Sequence, residues 1–237
     1  MLNKIFSLFL VGFALILSDS ASAQFGFEFD NSVPVIRNGQ PITNAWGGGL
    51  NYPQISDFDY DFDGDLDLFV FDRSNNNIRV YSQENNGQPY YELVYNAAKL
   101  FPAEMRYRAT LVDYDYDGRK DLWTYGIGGL KIYRNVGDSG NGLQWELITD
   151  LLYSEYINGP SQLYVSSADI PTIIDVDGDG DIDVLTFSQG GETVEYHQNQ
   201  SMELYGIPDS LIYELKNQCW GLFREDFNTN VISLNDQ

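Results

Sequence analysis

Asp59-Tyr-Asp61-Phe-Asp63-Gly64-Asp65-Leu66-Asp67 is one of three stretches in the chain that share one arrangement of acids. The other two are Asp113-Tyr-Asp115-Tyr-Asp117-Gly118-Arg119-Lys120-Asp121 and Asp175-Val-Asp177-Gly-Asp179-Gly180-Asp181-Ile182-Asp183. In this nine-position pattern, Asp occupies positions one, three, five and nine, and Gly occupies position six. Like charges at this density repel one another unless a cation lies among them. The pattern therefore predicts a hard metal ion bound by oxygen ligands.

Calcium fits the three loops best, because it takes about 6–8 oxygen ligands in irregular geometry. Magnesium needs a smaller, near-octahedral site, and zinc prefers His or Cys, which the loops lack. Glycine at position six permits a sharp reversal of the backbone, and we expect the residue at position seven to offer its carbonyl oxygen. We predict about three structural Ca²⁺ sites, with metal-binding residues Asp59, Asp61, Asp63, Asp65, Asp67, Asp113, Asp115, Asp117, Arg119, Asp121, Asp175, Asp177, Asp179, Asp181 and Asp183.

The EF-hand loop begins with a similar pattern but requires a bidentate Glu at position twelve and flanking helices. Position twelve is Val70, Thr124 or Thr186 here. The residues around the loops also have the alternating character of strands. An EF-hand is therefore excluded.

The three loops begin 54 and 62 residues apart, which indicates a long internal repeat. Each loop is followed by an apolar strand-like run, a polar or Gly-rich turn, and a second strand with apolar residues at every second position. The sequence predicts an all-β fold made of β-propeller blades with four antiparallel strands each. A β-sandwich with unrelated acidic turns is the alternative. Three recognisable blades fall short of the usual four to eight, so we expect an incomplete propeller from a longer protein, unless both termini build a composite fourth blade.

The N-terminus has the layout of a secretory signal peptide. Lys4 precedes an apolar run from Ile5 to Leu17, and Ala21-Ser22-Ala23 forms a small-residue cleavage site. We predict a signal peptide at 1–23, propeller repeats at 24–205, and a partial blade or the start of a further module at 206–237. The predicted location is secreted or at the cell surface, without membrane insertion after the signal is removed.

The formal net charge is −22, with 35 acidic and 13 basic residues. Nucleic acid and anionic membranes would be repelled by such a chain, so we expect neither as a partner. Cys219 is the only cysteine, which excludes an intrachain disulfide. The fold must then be held by its core and by bound ions.

The loop pattern Asp-x-Asp-x-Asp-Gly-x-x-Asp, followed by an apolar strand, resembles the FG-GAP/VCBS repeats of integrin-like β-propellers, which are common in secreted bacterial proteins. The resemblance covers about residues 50–200. It implies that the loops are hairpin calcium sites that brace the blades. Lys120 at position eight departs from the apolar Leu66 and Ile182, and the Phe-Gly and Gly-Ala-Pro signatures of the integrin repeats are not evident.

Two functions remain open at this stage. The first is a non-catalytic, calcium-binding scaffold for cell adhesion or recognition, with an extracellular protein or glycan as partner. The second is an accessory module of a larger secreted polysaccharide-degrading enzyme. His197, the only histidine, lacks the context of a catalytic triad, and we expect it at a strand end or on the surface. For sugar stacking, the aromatic candidates are Trp46, Tyr52, Tyr90 and Tyr91.

Overall fold

The computed structural model describes residues 30, 32–85 and 89–235. The chain divides into two compact units, residues 1–30 and 31–237. Only Asp30 of the first unit is described, so the account below concerns the second unit. The predicted signal peptide at 1–23 lies outside the described residues.

The described chain is built almost entirely of short strands. They are β1 (Ile36–Arg37), β2 (Gln40–Pro41), β3 (Pro53–Phe58), β4 (Asp67–Asp72), β5 (Asn77–Asn85), β6 (Pro89–Leu93), β7 (Ala109–Val112), β8 (Asp121–Gly126), β9 (Gly129–Asn135), β10 (Trp145–Thr149), β11 (Tyr153–Tyr156), β12 (Gly159–Gln162), β13 (Thr172–Ile174), β14 (Asp183–Phe187), β15 (Val194–Asn199), β16 (Tyr213–Asn217), β17 (Phe223–Glu225) and β18 (Ile232–Leu234). One short α-helix, α1 (Ser201–Tyr205), and two 3₁₀ segments, Ala97–Leu100 and Trp220–Leu222, complete the elements.

These strands form three blade-like antiparallel sheets. Blade one has the order β3-β4-β5-β6, and blade two consists of β7, β8, β9 and β10 in sequence order. In blade three, β13, β14, β15 and β16 repeat the same arrangement. The all-β prediction of four-stranded antiparallel blades is confirmed.

Blade three carries two strands that the sequence did not predict. The hairpin β11–β12 joins its outer edge, where β11 pairs in parallel with β16 through Ser154 and Tyr213. The third sheet therefore has six strands. Its fourth blade strand, β16, comes from the segment 206–237, beyond the helix α1.

Two hydrophobic clusters hold the three blades together. Blade two lies between them, because alternate residues of a strand point to opposite faces. Leu122 belongs to the cluster shared with blade one, which includes Phe58 and Phe69. Its neighbour Trp123 belongs to the cluster shared with blade three, which includes Val184. Burying each large side chain contributes about 1.5–3 kcal/mol, so the second strand of blade two stabilises both interfaces.

Polar contacts also join the blades at their first strands. Ser56 Oγ accepts a hydrogen bond from the Leu111 N–H at 3.1 Å, and Gln54 accepts one from the Ala109 N–H at 3.0 Å. Arg108 is almost fully buried and donates to the carbonyls of Ser166 and Asp169 at 2.7 and 2.8 Å. The stretch that leads into blade three is thereby attached to the start of blade two.

The remaining strands form two small hairpins, β1–β2 and β17–β18. These hairpins are separate two-stranded sheets and do not pair with each other within the described residues. Among those residues, none of the helices has the length and apolar character needed to cross a bilayer.

Candidate metal centre

The three acidic loops occupy the same place in each blade, between its first and second strands. They run from β3 to β4, from β7 to β8 and from β13 to β14, and position nine is the first residue of the second strand. The glycine at position six has a positive φ in every loop, 95° at Gly64, 89° at Gly118 and 101° at Gly180. This is the conformation for which glycine was predicted at that position.

Position four also has a positive φ in all three loops, which the sequence analysis did not predict. The values are 64° at Phe62, 55° at Tyr116 and 81° at Gly178. A bulky residue in this region costs on the order of 1–3 kcal/mol, so loops one and two are strained where loop three has glycine. The glycine at position four of loop three is the only trace of this requirement in the sequence.

Position one accepts hydrogen bonds from the backbone of its own loop. Asp59 accepts the N–H groups of Asp63 and Gly64 at 3.1 and 3.0 Å, and Asp113 accepts the equivalent pair in loop two at 3.2 and 2.9 Å. In loop three, Asp175 accepts from Gly178 and Gly180 at 2.6 and 3.1 Å. Each first aspartate therefore fixes the curvature of its loop.

Position nine ties the loop to the third strand of the blade. Both oxygens of Asp121 accept backbone N–H groups, one from Tyr114 at 3.0 Å and one from Asn135 at 2.9 Å. Asp67 accepts from Tyr60 and Gln83 in the same way, and Asp183 accepts from Val176 and Asn199. All three carboxylates are buried. This brace was not predicted, although its acceptor is the last aspartate of the pattern.

Positions one, three and nine come together in every loop. Ligand oxygens of these three carboxylates lie within 4.8 Å of one another in each of the sets Asp59, Asp61 and Asp67; Asp113, Asp115 and Asp121; and Asp175, Asp177 and Asp183. These clusters could hold a metal ion, because their donors are all carboxylate oxygens, the ligands that hard cations take.

Positions five and seven are arranged differently from these triads. The position-five carboxylates of Asp63, Asp117 and Asp179 accept the N–H of the residue two places on, at 2.9–3.0 Å. At position seven, Oδ1 of Asp65 and Oδ1 of Asp181 are buried and have no hydrogen-bond partner among the described residues. Buried carboxylate oxygens without a partner are costly, and a bound cation would satisfy them.

Loop two contains its own cations. Arg119 at position seven pairs with Asp117, and Arg134 of β9 lies 2.7 Å from Asp115 and 3.5 Å from Asp117. Lys120 at position eight reaches across to Asp57 of blade one at 2.7 Å. That ion pair lowers the pKa of Asp57 through its hydrogen bond. The departure at position eight therefore serves as a contact between blades.

Loop three gains a further acid that lies outside the nine-position pattern. Glu203 of α1 forms a second group with Asp177 and Asp179, whose carboxylate oxygens lie within 4.8 Å of one another. Gln198 Nε2 donates to Asp177 at 2.5 Å and to Glu203 at 2.6 Å. Glu203 follows the third strand of the blade, and nothing in the loop pattern pointed to it.

Burial raises the pKa of several of these carboxylates, because it disfavours their charged form. Desolvation raises the pKa of Asp121 to about 7 and the pKa values of Asp181 and Asp183 to about 6. The backbone hydrogen bonds to Asp121 and Asp183 oppose this effect without cancelling it. A cation among the acids would favour the charged form.

Each blade has four antiparallel strands and an acidic loop between its first and second strands. The chain therefore belongs to the class of blade-like repeat proteins with candidate cation-binding loops. Within that class, an FG-GAP-like repeat model matches residues 59–124. The matched segment runs from the first residue of loop one through loop two into β8. Neither the curated proteins nor the solved structures contain a match to this chain.

Proposed function

We propose that this chain is a calcium-braced β-propeller-type module that is exported and recognises an extracellular protein or glycan without catalysis. One observation carries the proposal. The same three acids, at positions one, three and nine, converge in each of the three loops. Because position nine begins a buried strand, an ion held there would join the loop to the sheet.

The choice of calcium rests on the donor set. All donors of the triads are carboxylates, and the loops contain neither His nor Cys, which disfavours zinc. Oδ1 of Asp65 and Oδ1 of Asp181, which are buried and without a partner, are further acceptors on loops one and three. A flexible coordination number of about 6–8 accommodates them.

The non-catalytic role rests on how the loop acids are engaged. Positions one and nine already accept backbone hydrogen bonds in all three loops, which gives these acids a structural task in every blade. The FG-GAP-like repeat at 59–124 supports a recognition module. The leader-like sequence at 1–23 supports export.

Calorimetry with and without calcium tests the proposal. Each site at a calcium concentration of about 100 Kd would contribute about 2.7 kcal/mol, and about 1 kcal/mol raises the Tm of a chain of this size by about 2–4 °C. We expect Asp61→Ala to abolish the contribution of loop one and to lower the bound calcium by one ion. Asp209→Ala, at an exposed aspartate outside the loops, is the matched control. A melting curve that is identical in calcium and in chelator would refute the proposal.

A further inference from the structure

A cleft of about 540 Å³ lies in blade three, between the hairpin β11–β12 and the strand β15. The sequence did not predict it, because the hairpin itself was not predicted. The side chains that matter in its lining are Tyr153, Tyr156, Gln162, Tyr164, Gln189 and Glu195. Its volume falls within the range of about 300–1,000 Å³ that small-molecule sites have.

Two buried polar side chains, Ser154 and His197, lie beneath this cleft. His197 is fully buried in the middle of β15, so the expectation of a histidine at a strand end or on the surface is wrong. Its Nδ1 lies 2.8 Å from the hydroxyl of Ser154, which is also buried. We assign the Ser154 hydroxyl as donor, which leaves the hydrogen of His197 on Nε2, 3.4 Å from the carboxylate of Glu195.

This pair lies against the one charged group in the cleft. Glu195 is largely buried, and its carboxylate lies 3.4 Å from His197 Nε2, which has no hydrogen-bond partner among the described residues. The ring of Tyr156 packs edge-on against His197, with ring centroids 5.6 Å apart. Two side chains that line the cleft are thus held in place from below. Ser154 and His197 are too buried to meet a substrate, so the pair does not form a hydrolytic centre.

The lining combines flat apolar surface with uncharged hydrogen-bonding groups. Three tyrosine rings offer apolar faces, two glutamine amides offer both donors and acceptors, and Glu195 offers acceptors alone. The lining contains no lysine or arginine among the residues that the structure describes. An anionic ligand would therefore be repelled, both locally and by the net charge of −22.

A neutral sugar matches this chemistry. Its ring has an apolar C–H face that can stack on tyrosine, and its hydroxyl rim both donates and accepts hydrogen bonds. A purely apolar ligand would leave Glu195 and the amides desolvated and unpaired, which is costly. A basic peptide would suit Glu195, but the seven other residues that line the cleft are neutral.

We propose that this cleft binds a neutral oligosaccharide, with Tyr153 stacking on the sugar and Glu195 accepting its hydroxyls. The inference deepens the proposed recognition function and depends on it. The cleft lies apart from the aromatics suggested by the sequence. Of those, Trp46 and Tyr90 line a different cleft of about 410 Å³ beside β6.

Binding of neutral oligosaccharides to the full chain in calcium tests the proposal. The probes are gluco-, galacto-, manno- and xylo-oligosaccharides, together with sulfated and uronic acid oligosaccharides and a lysine-rich peptide. We expect at least one neutral probe to bind. We also expect Tyr153→Ala and Glu195→Gln each to weaken that binding by about tenfold or more, because each removes one stacking or charged hydrogen-bond contact.

Matched variants separate the cleft from the rest of the surface. Tyr95→Ala removes an exposed tyrosine that follows β6 of blade one, and Glu155→Gln neutralises an exposed glutamate on the hairpin β11–β12. Neither residue lines the cleft, so we expect unchanged affinity. The inference is overturned if no neutral probe binds, if a charged probe binds better, or if binding is lost in Trp46→Ala but kept in both cleft variants. A calcium-dependent Tm in the same samples would show that the proposed scaffold survives such a failure.

Discussion

Loops two and three hold the same triad of acids but balance its charge by opposite means. In loop two, Arg119 and Arg134 pair with the carboxylates at positions three and five. Loop three has no basic side chain in an ion pair within the described residues, and α1 brings Glu203 to its acids instead. Loop two therefore carries part of its countercharge on its own side chains, whereas the acids of loop three have no such countercharge among the described residues.

The difference comes from one position of the blade. Arg134 and Gln198 each precede the residue whose N–H bonds to the position-nine carboxylate, namely Asn135 and Asn199. They are thus equivalent in the two third strands. Arg134 reaches the acids with a charge, and Gln198 reaches them with a neutral amide. The three blades share the backbone brace, whereas the charge that faces the loop acids from the third strand differs between blades two and three.

The largest effect is expected where the two loops are alike. Asp121→Ala and Asp183→Ala each leave two backbone N–H groups without an acceptor, and each unsatisfied buried group costs about 1–3 kcal/mol. We expect both variants to lose about 2–4 kcal/mol of unfolding free energy in chelator, measured by urea denaturation. Asp63→Ala is the control, because its carboxylate is exposed and accepts one N–H. A loss that appears only in calcium would contradict the brace.

The second effect should distinguish the loops. Asp177→Ala removes position three of loop three, which pairs with no basic side chain among the described residues, and we expect it to abolish a calcium contribution of about 2.7 kcal/mol. Asp115→Ala removes the equivalent acid from loop two, which Arg134 already neutralises in part. We expect a smaller loss of calcium-dependent stability there, measured as the difference in Tm between calcium and chelator. Equal losses would break the comparison.

Exchanging the residues at the equivalent positions 134 and 198 tests the same difference between the loops. Arg134→Gln should destabilise the calcium-free protein by about 1–2 kcal/mol, since it removes the ion-pair partner of a nearly buried Asp115. It should also tighten calcium binding at loop two. Gln198→Arg should do the reverse in loop three. Titration calorimetry measures both affinities, and shifts of the same sign in the two variants would show that the Arg134 position does not control ion demand.

Much of the fold could be predicted from the sequence because the same pattern of loop and strands occurs three times. The alternation of apolar residues predicted the strands of the blades, and the loop pattern predicted the acids that lie together in each loop. Glu203 and the hairpin β11–β12 could not be predicted in this way. The hairpin lies between blades two and three, and Glu203 lies between the third and fourth strands of blade three. Each appears once, so no pattern distinguishes it, and its position depends on tertiary contacts, with β16 for the hairpin and with Asp177 for Glu203. The positive φ at Phe62 and Tyr116 could not be predicted, because these positions hold aromatic residues where the backbone conformation favours glycine.

The smallest expected effect is on the pH dependence of stability. The two loops should differ in the pH at which their carboxylates at position nine titrate. Burial raises the pKa of Asp121 to about 7 and that of Asp183 to about 6, above the ordinary value of about 4. Between the ordinary and the raised value the folded, ion-free protein binds more protons than the unfolded chain, so its stability falls as pH rises. Calcium requires the charged carboxylates, so its stabilising effect should grow with pH instead.

The change per group is at most about 1.4 kcal/mol over one pH unit. Asp121→Asn removes the titrating group of loop two, so its stability in chelator should depend less on pH near 7 than that of the unaltered protein. Asp183→Asn should flatten the same curve near pH 6. Urea denaturation at half-unit steps from pH 5 to 8 resolves the two midpoints. If both variants flattened the curve at one common pH, burial would not distinguish the two carboxylates at position nine.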